Sequence, residues 1–477
     1  MITSLAIGSA LFKIIHQDGL PQTSPKAPPP RVQDPVVPGQ IAIPQATGTT
    51  SLGPLTLQEA VRIALRSQPS IAGAKGAIQS AQGKIDQVAA AQKPQVAVTA
   101  GYDSISSLSG GSATTAPTGS TPVGVSPTFA YSSTLAVRQL VFDFNQTRNL
   151  VRQNSALTDA AMANLDRTQQ GVVNDVQTSF YNYLNAKRLV DVAERNLANR
   201  QRQLDLASAR LKNEIGVPAD VVTAETSKSQ AILALVTARD AELQARVKLL
   251  QAMGIDPLTP FDLSESDEAA TNVEEPSKLV ETGMSHRPEI RAAKFNIVAF
   301  TYGLEAAKST NMPAIYASIA AGTLGQDISS SRGTSSIGIG IQIPISDGGQ
   351  RRGAVKSASG QLATAKADLE SAVVRVKSDV AGAYLGLVSA LQRVPIAEAQ
   401  VANAREGVRI AEGRYASGLG SFQDITTAQG LLVTAQQDQT TVQTNLNLAW
   451  VRLHFATGEL TDSQESGSFV RPNRSDR

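Results

Sequence analysis

Residues that could carry catalytic chemistry are few and widely spaced in this sequence. The chain has no cysteine, which excludes thiol catalysis, disulfides and cysteine-ligated metals. The three histidines, His16, His286 and His454, form no HExxH motif and no pair with metal-ligand spacing. Gly338 and Gly340 lack the third glycine of a dinucleotide-binding fingerprint. We therefore expect no enzymatic activity, no cofactor and no bound metal.

Two acidic residues each follow a short predicted turn. Asp220 follows the predicted turn at 212–219, and Asp424 follows the predicted turn at 416–421. A carboxylate at such a position can complement the partial positive charge of a helix N-terminus. For Asp424 this is the interpretation that the residues alone support.

The elements that position these acids occur twice in the chain. Residues 143–254 match residues 347–458 without a gap, at an offset of 204. Pairs related by this offset include Asp143 and Asp347, Asn199 and Asn403, Arg210 and Arg414, Asp220 and Asp424, and Gly254 and Gly458. Further upstream, Pro69 and Pro94 match Pro288 and Pro313 at an offset of 219. A long match of this kind indicates one structural unit used twice.

Each copy contains two segments that alternate between apolar and polar residues. They predict strands at about 95–104 and 129–142 in the first copy, and at about 313–323 and 335–345 in the second. Strands of about ten residues with one apolar face are typical of tilted membrane β-strands, although a soluble sheet packed on helices alternates in the same way. Four strands do not close a barrel in one chain, and open edges are not viable in lipid. Membrane strands would therefore require an oligomer.

A long helical hairpin follows the strands in each copy, at 146–254 and 350–458. Apolar residues seven apart continue along the second hairpin, at Val394, Val401, Val408 and Tyr415, and the first has Val190, Leu197, Leu204 and Leu211 at the equivalent positions. Sustained heptads indicate coiled-coil packing. The first helix of each hairpin has about 66 residues, which spans roughly 100 Å.

The sequence thus predicts two similar repeats rather than several unrelated domains. The predicted organisation is an N-terminal segment and proline-rich tether at 1–50, a first repeat at 51–254, a linker at 255–275, a second repeat at 276–460 and a polar tail at 461–477. Aromatic residues make up only 4% of the chain, as expected of thin helical walls. A net charge of +2 gives no reason to expect nucleic acid as a partner.

One turn carries a recognisable motif. It reads Tyr415-Ala-Ser-Gly418-Leu-Gly420-Ser421-Phe-Gln-Asp424-Ile-Thr-Thr427-Ala428-Gln429. This motif resembles the hairpin turn of TolC-like outer-membrane efflux proteins, and the order of helices and strands over 55–460 resembles that family in both halves.

The resemblance implies a mainly helical fold with membrane β-structure. It implies a homotrimer in which four strands per chain form a twelve-stranded β-barrel in the outer membrane. The long hairpins then form an α-helical tunnel across the periplasm. The tunnel end would dock onto a periplasmic adaptor and an inner-membrane transporter of the resistance-nodulation-division, ABC or major-facilitator type.

The resemblance also implies roles for the residues of the turns. Asp424, Thr427, Tyr415 and Asp220 would form the pore aperture, and the adaptor-docking tip would comprise Gly216, Val217, Gly418, Gly420 and Ser421. Two departures bear on this assignment. The first turn matches the motif only at Asp220 and Ala224, and Thr427 stands where some family members have a second acid. A single acidic ring would trap cations more weakly than two.

These expectations describe a passive exit channel that performs no chemistry. The alternative from a different class is a periplasmic structural or adaptor protein with long hairpins and no pore. Adaptors generally have one hairpin and a lipoyl-like β domain, whereas this chain has two hairpins and amphipathic strands.

Overall fold

The chain is described by a computed structural model that covers residues 52–108, 125–264, 274–325, 329 and 331–461. All of these residues belong to one compact unit, Ile43–Arg477. The predicted N-terminal segment at 1–50, and the predicted tail beyond Thr461, lie outside the described residues.

Four long helices form two hairpins of equal size. The helices of the described chain are α1 Leu57–Ser67, α2 Pro69–Ala89, α3 Gln146–Lys212, α4 Pro218–Met253, α5 Pro276–His286, α6 Pro288–Ser309, α7 Gln350–Ala416 and α8 Phe422–Thr457. Helices α3 and α7 each have 67 residues, and α4 and α8 each have 36. Both hairpins end at a glycine in the left-handed region, Gly254 at φ 71° and Gly458 at φ 79°. Glycine adopts this conformation without steric cost, so it ends the helix cleanly.

The strands of the described chain form two sheets. They are β1 Leu52–Leu55, β2 Gln95–Leu108, β3 Val125–Phe142, β4 Phe261–Leu263, β5 Ala314–Gly325 and β6 Arg332–Gln342. An antiparallel sheet has the order β2-β3-β5-β6, and β1 pairs in parallel with β4. The range predicted for the last strand, 335–345, differs from β6, which ends at Gln342, opposite the first residue of its partner strand, Ala314. Pro344 beyond it has no N–H with which to extend a ladder. Strand β4 lies within the range 255–275 that the sequence suggested as a linker.

One face of the four-stranded sheet is apolar and exposed. Val96, Val137, Ile319 and Ile337 are paired in one row across all four strands. Val96 is 64% exposed and Ile337 is 83% exposed within the single chain. The neighbouring row on the opposite face holds small or polar residues, among them Ala136 beside Ala97, Ala320 and Ser336. The alternation predicted from the sequence therefore produces a sheet with one apolar face.

The helices form a wall one helix thick. Towards the hairpin turns the order of packed neighbours is α4, α3, α8, α7, and towards the sheet it is α2, α3, α6, α7. The short helices α1 and α5 pack against this wall, α1 on α3 and α5 on α7. Leu279 of α5 contributes to the core that contains Val376 and Val380 of α7. Within the described chain, α4 and α7 are thus the outer helices of the half that carries the turns.

The turn from strand to helix has the same geometry in both repeats. Two successive residues have positive φ in each, Phe144 and Asn145 in the first and Gly348 and Gly349 in the second. An aspartate precedes each pair and accepts an N–H from the first turn of the helix. Asp143 Oδ2 lies 2.7 Å from the Thr147 nitrogen, and Asp347 Oδ2 lies 2.8 Å from the Arg351 nitrogen. The Arg351 side chain also donates to Asp347. This bond and the one from the Arg351 backbone lower the pKa of Asp347 to about 2.

Candidate functional site

The ends of all four long helices meet in one buried cluster at the hairpin turns. The tip cluster comprises Ala207 of α3, Ala224 of α4, Ala411 and Tyr415 of α7, and Phe422 and Ile425 of α8. Alanine at three of these positions allows the helices to approach closely around the two aromatic rings. The two hairpins, which are far apart in sequence, are therefore joined at their tips.

Tyr415 provides the polar link in this cluster. Its side chain is 5% exposed, and its hydroxyl donates a hydrogen bond of 3.0 Å to Asp220 Oδ2. The Tyr415 ring also meets the Phe422 ring edge to face at 5.7 Å between centroids. Burial raises the pKa of Tyr415, and the hydrogen bond to Asp220 and the Asp220 charge raise it further. The hydroxyl therefore stays protonated and bridges α7 to the start of α4.

Arg210 holds the same tyrosine from the first hairpin. Its guanidinium carbon lies 4.5 Å from the centroid of the Tyr415 ring, a cation–π contact. Its Nη1 also donates to the Tyr415 carbonyl oxygen at 3.2 Å. Tyr415 is thus fixed by two residues of the first hairpin, one through its hydroxyl and one through its ring and backbone.

Asp424 lies in the first turn of α8 and is exposed. Its carboxylate accepts the Ser421 backbone N–H at 3.0 Å, and the Ser421 hydroxyl accepts the Asp424 N–H at 3.2 Å, which completes a capping box. Hydrogen bonds from the Ser421 backbone and then from the Ser421 side chain to the Asp424 carboxylate, followed by the charge of Arg414, lower the pKa of Asp424. Thr427 is also exposed, one turn further along α8. The interpretation of Asp424 as a helix-stabilising acid matches these contacts, and its exposure leaves the charge accessible to ions.

The residues suggested for the docking tip shape the two turns. A Cβ at Gly216 would lie 2.7 Å from the Leu211 nitrogen, so the chain is too close there for a side chain. Gly418 has φ 75°, and a Cβ at Gly420 would lie 3.0 Å from the Arg414 Cβ. Val217 and Ser421 occupy the cap positions that precede α4 and α8.

Two exposed apolar side chains at the turns, those of Ile215 and Leu419, were not identified from the sequence. Ile215 is 66% exposed and Leu419 is 75% exposed, and they are related by the repeat offset of 204. Val217 beside them is 58% exposed. The repeat could have revealed these two residues, because an apolar residue at the same turn position in both copies is unusual for a solvated loop.

The described residues offer little for chemistry on a substrate. Across the described ranges, no group of three histidine, cysteine, aspartate or glutamate residues is placed to hold a metal ion. What the tip does contain is a hydrogen-bonded link between two hairpins, an exposed acid and an apolar rim.

Known proteins share this sequence pattern and architecture. The family model described as outer membrane efflux protein matches residues 60–255 and 279–459. The outer membrane efflux protein BepC of Brucella suis is 27% identical over 356 residues, which are 72% of this chain and 76% of that protein. Protein CyaE of Bordetella pertussis is 25% identical over 447 residues, 92% of each chain.

Solved structures of outer-membrane channels have the same fold. CusC superimposes with a TM-score of 0.72 at 18% identity, and covers 90% of this chain and 99% of its own. The outer membrane protein VceC from Vibrio cholerae gives a TM-score of 0.70 at 20% identity, covering 84% of this chain and 96% of its own.

Proposed function

The chain belongs to the outer membrane efflux protein family, and we propose that three copies of it assemble into one passive exit channel. It is an outer-membrane efflux channel whose tunnel extends into the periplasm. The observation that carries the trimer is the exposed apolar face of the four-stranded sheet, whose outer strands are β2 and β6. Pairing β6 of one copy with β2 of the next gives a closed barrel of twelve strands, which removes every edge from the lipid.

The helical wall supports the same assembly. Val374, Leu385 and Ile396 form a stripe on α7, and each is 65–67% exposed. The equivalent residues of α3 face other helices of the chain: Gln170 is 5% exposed, and Tyr181 and Val192 are half-buried. In the described chain α3 packs on α8. The repeat makes α7 the equivalent of α3 and α4 the equivalent of α8, so we expect α7 to pack in the same way on α4 of the next copy. Such a head-to-tail contact closes into a ring.

This ring also accounts for the exposed apolar residues of α4. Its exposed apolar side chains are Val222, Leu233, Val236 and Val247. They would meet the α7 stripe of the neighbouring copy. A periplasmic structural or adaptor protein without a pore would leave both these helical stripes and the apolar sheet face in water, so we favour the channel.

We infer that the tip docks onto a periplasmic adaptor. The tip presents Ile215, Val217 and Leu419 around the turns, and exposed apolar patches of this kind mark protein–protein contacts. The adaptor would connect the channel to an inner-membrane transporter of the resistance-nodulation-division, ABC or major-facilitator type. The transporter supplies the energy, and the channel itself is not an enzyme.

A pair of cysteines tests the predicted contact between copies. Within the chain, the Thr444 hydroxyl donates to Asn185 Oδ1 at 3.2 Å. The repeat relates this pair to Asp240 and Ser389, which we expect to meet between neighbouring copies. Because the chain has no cysteine, oxidation of the double variant Asp240→Cys and Ser389→Cys should give covalent dimers and trimers on denaturing gels.

The matched control is the double variant Asn185→Cys and Thr444→Cys. It should form its disulfide within one chain and migrate as a monomer. Intermolecular products from the control, or only monomers from the first variant, would show that α7 does not meet α4 in this register.

Asp424→Ala is expected to weaken the cation selectivity of the channel in planar bilayers and its block by divalent cations. The yield of trimer should not change, since the side chain is exposed. Because its pKa is lowered, Asp424 should keep its charge, and the block should persist in wild type, to a lower pH than an ordinary aspartate would allow.

The comparison for this test is Asp220→Ala. The Asp220 carboxylate is half-buried and accepts the Tyr415 hydroxyl, so removing it should affect ion selectivity less. Equal effects of the two substitutions on selectivity, or no effect of Asp424→Ala, would mean that Asp424 only caps its helix.

A further inference from the structure

A groove that contains several charged side chains lies in the middle of the helical wall, remote from the tip. It has a volume of about 780 Å³ and lies between α3, α7, α8 and the start of α6. Three arginines line it, Arg287, Arg393 and Arg452, together with a single acid, Asp379. Two asparagines, Asn174 and Asn445, add neutral hydrogen-bonding groups. The proposed function uses none of these residues.

The groove opens on the face of the wall opposite to the short helices. Val376 and Val380 of α7 pack against α5, whereas the groove is lined by Gly382 and Gly386, which lie well round the helix from that contact. Helix α1 makes the equivalent contact in the first repeat, on Val172 and Val176 of α3. With α1 and α5 on the outer side of the proposed ring, its passage stays clear of them. The proposed channel therefore places the groove on the tunnel lining.

Arg287 is fully engaged and serves the structure of the groove. Its side chain is 5% exposed, and its nitrogens lie 3.0 and 3.1 Å from the two Glu289 oxygens and 3.3 Å from Asp379 Oδ2. It also donates to the Phe455 carbonyl oxygen at 3.1 Å. Arg167 pairs with Glu289 at 3.4 Å. Two cations and two anions thus balance each other at this end of the groove.

Arg393 and Arg452 carry charges that nothing in the groove balances. Both side chains are exposed, and neither makes an ion pair with any residue in the described ranges. The wall beside them is open, because a Cβ added at Gly382 or Gly386 would have no atom within 4 Å. Guanidinium groups bind carboxylates and phosphates with paired, charge-assisted hydrogen bonds.

We propose that this groove binds multivalent oxyanions, carboxylates or phosphates, as they pass through the tunnel. The inference rests on the proposed function for the position of the groove on the lining. Each copy would contribute Arg393 and Arg452, so a trimer would present six guanidinium groups along the same stretch of the tunnel. Solutes with several anionic groups would be held there briefly between the transporter and the exit. Asp424 at the tip would then attract cations, whereas Arg393 and Arg452 would attract anions.

Citrate is a suitable probe for the proposed site. Isothermal titration calorimetry of the detergent-solubilised protein should show citrate binding that weakens about tenfold in Arg393→Gln and in Arg452→Gln, and about a hundredfold in the double variant. Block of single channels by citrate should weaken in the same order. The control is Arg409→Gln, which removes a charge from α7 outside the groove, where Arg409 pairs with Glu406.

The two measurements separate the groove from the channel function. If the protein conducts no ions but binds citrate in a way that depends on the two arginines, the oxyanion site is supported and the channel function is contradicted. A conducting protein whose citrate binding and block are unchanged in the double variant would reject the site. An effect of Arg409→Gln as large as that of Arg393→Gln would also reject it, since net charge alone would then explain the binding.

Discussion

Val401→Asp is expected to abolish the assembled channel. Val401 is 6% exposed and packs with Val408, Leu432 and Ala435 between α7 and α8. A carboxylate at this position would be buried without a partner, which costs on the order of 3–5 kcal/mol. A loss of this size opens the second hairpin near its tip, so the helices that must meet the neighbouring copy are no longer in place. Size-exclusion chromatography in detergent should show little or no trimer.

Ala402→Asp is the matched control for this substitution. It introduces the same charge at the next residue of α7, where the side chain is exposed. It should assemble like wild type. Normal trimer levels and normal conductance in Val401→Asp would contradict the packing of α7 on α8 at this level.

Tyr415→Phe is expected to raise the conductance of the channel by releasing its tip. The substitution removes only the hydroxyl that bonds to Asp220, and a hydrogen bond to a charged acceptor contributes about 1.5–3 kcal/mol. A change of that size shifts an equilibrium between closed and open tips by roughly ten- to a hundredfold in each copy. Three copies would act on the same aperture. Planar bilayer recordings should therefore show larger or longer openings.

The comparison for this measurement is Tyr384→Phe, which removes a hydroxyl in the middle of α7 beside the core of the second hairpin. It should leave conductance unchanged, and both variants should assemble normally. Wild-type conductance in Tyr415→Phe would mean that the ring contacts with Arg210 and Phe422 are enough to hold the tip without the hydrogen bond.

Much of the fold could be predicted because its signals are local. Heptads along α3 and α7 and terminal glycines at Gly254 and Gly458 mark helices and their ends within a few residues. The predicted class, mainly helical with a sheet of four membrane strands and two repeats, is confirmed, and so is the resemblance to TolC-like efflux proteins. Both rest on patterns that repeat along the chain and do not depend on distant contacts.

Strand ends were less predictable because alternation continues where pairing stops. Ile343 and Ile345 extend the apolar pattern beyond Gln342, but Pro344 lies between them and the ladder has already ended. Strand β4 has only three residues and pairs with β1, about 200 positions earlier in the sequence. A segment this short has no periodicity to read, so it was assigned to a linker.

At the candidate site, the sequence suggested residues but not their partners. The motif pointed to Tyr415, Asp220 and Asp424, and the roles suggested for them at an aperture remain predictions. The hydrogen bond between Tyr415 and Asp220 joins residues 195 positions apart, and no pattern in the sequence links them. Arg287 matches Gln68 at the offset of 219, and both donate to a carbonyl near the end of a hairpin helix, but the two residues differ in type, so the sequence alone does not mark them as equivalent.

The equal lengths of the two hairpins also limit how this protein can evolve. Helices α3 and α7 both have 67 residues, α4 and α8 both have 36, and all four contribute to the tip cluster. An insertion in one helix alone would therefore shift its turn along the wall and separate the residues of the cluster. A longer tunnel needs matched insertions in all four, for example seven residues for roughly 10 Å. Drift in length is therefore left to the segments between strands, where the two repeats differ by 15 residues. In these proteins the reach across the periplasm should change in heptad steps, while the surface loops vary freely.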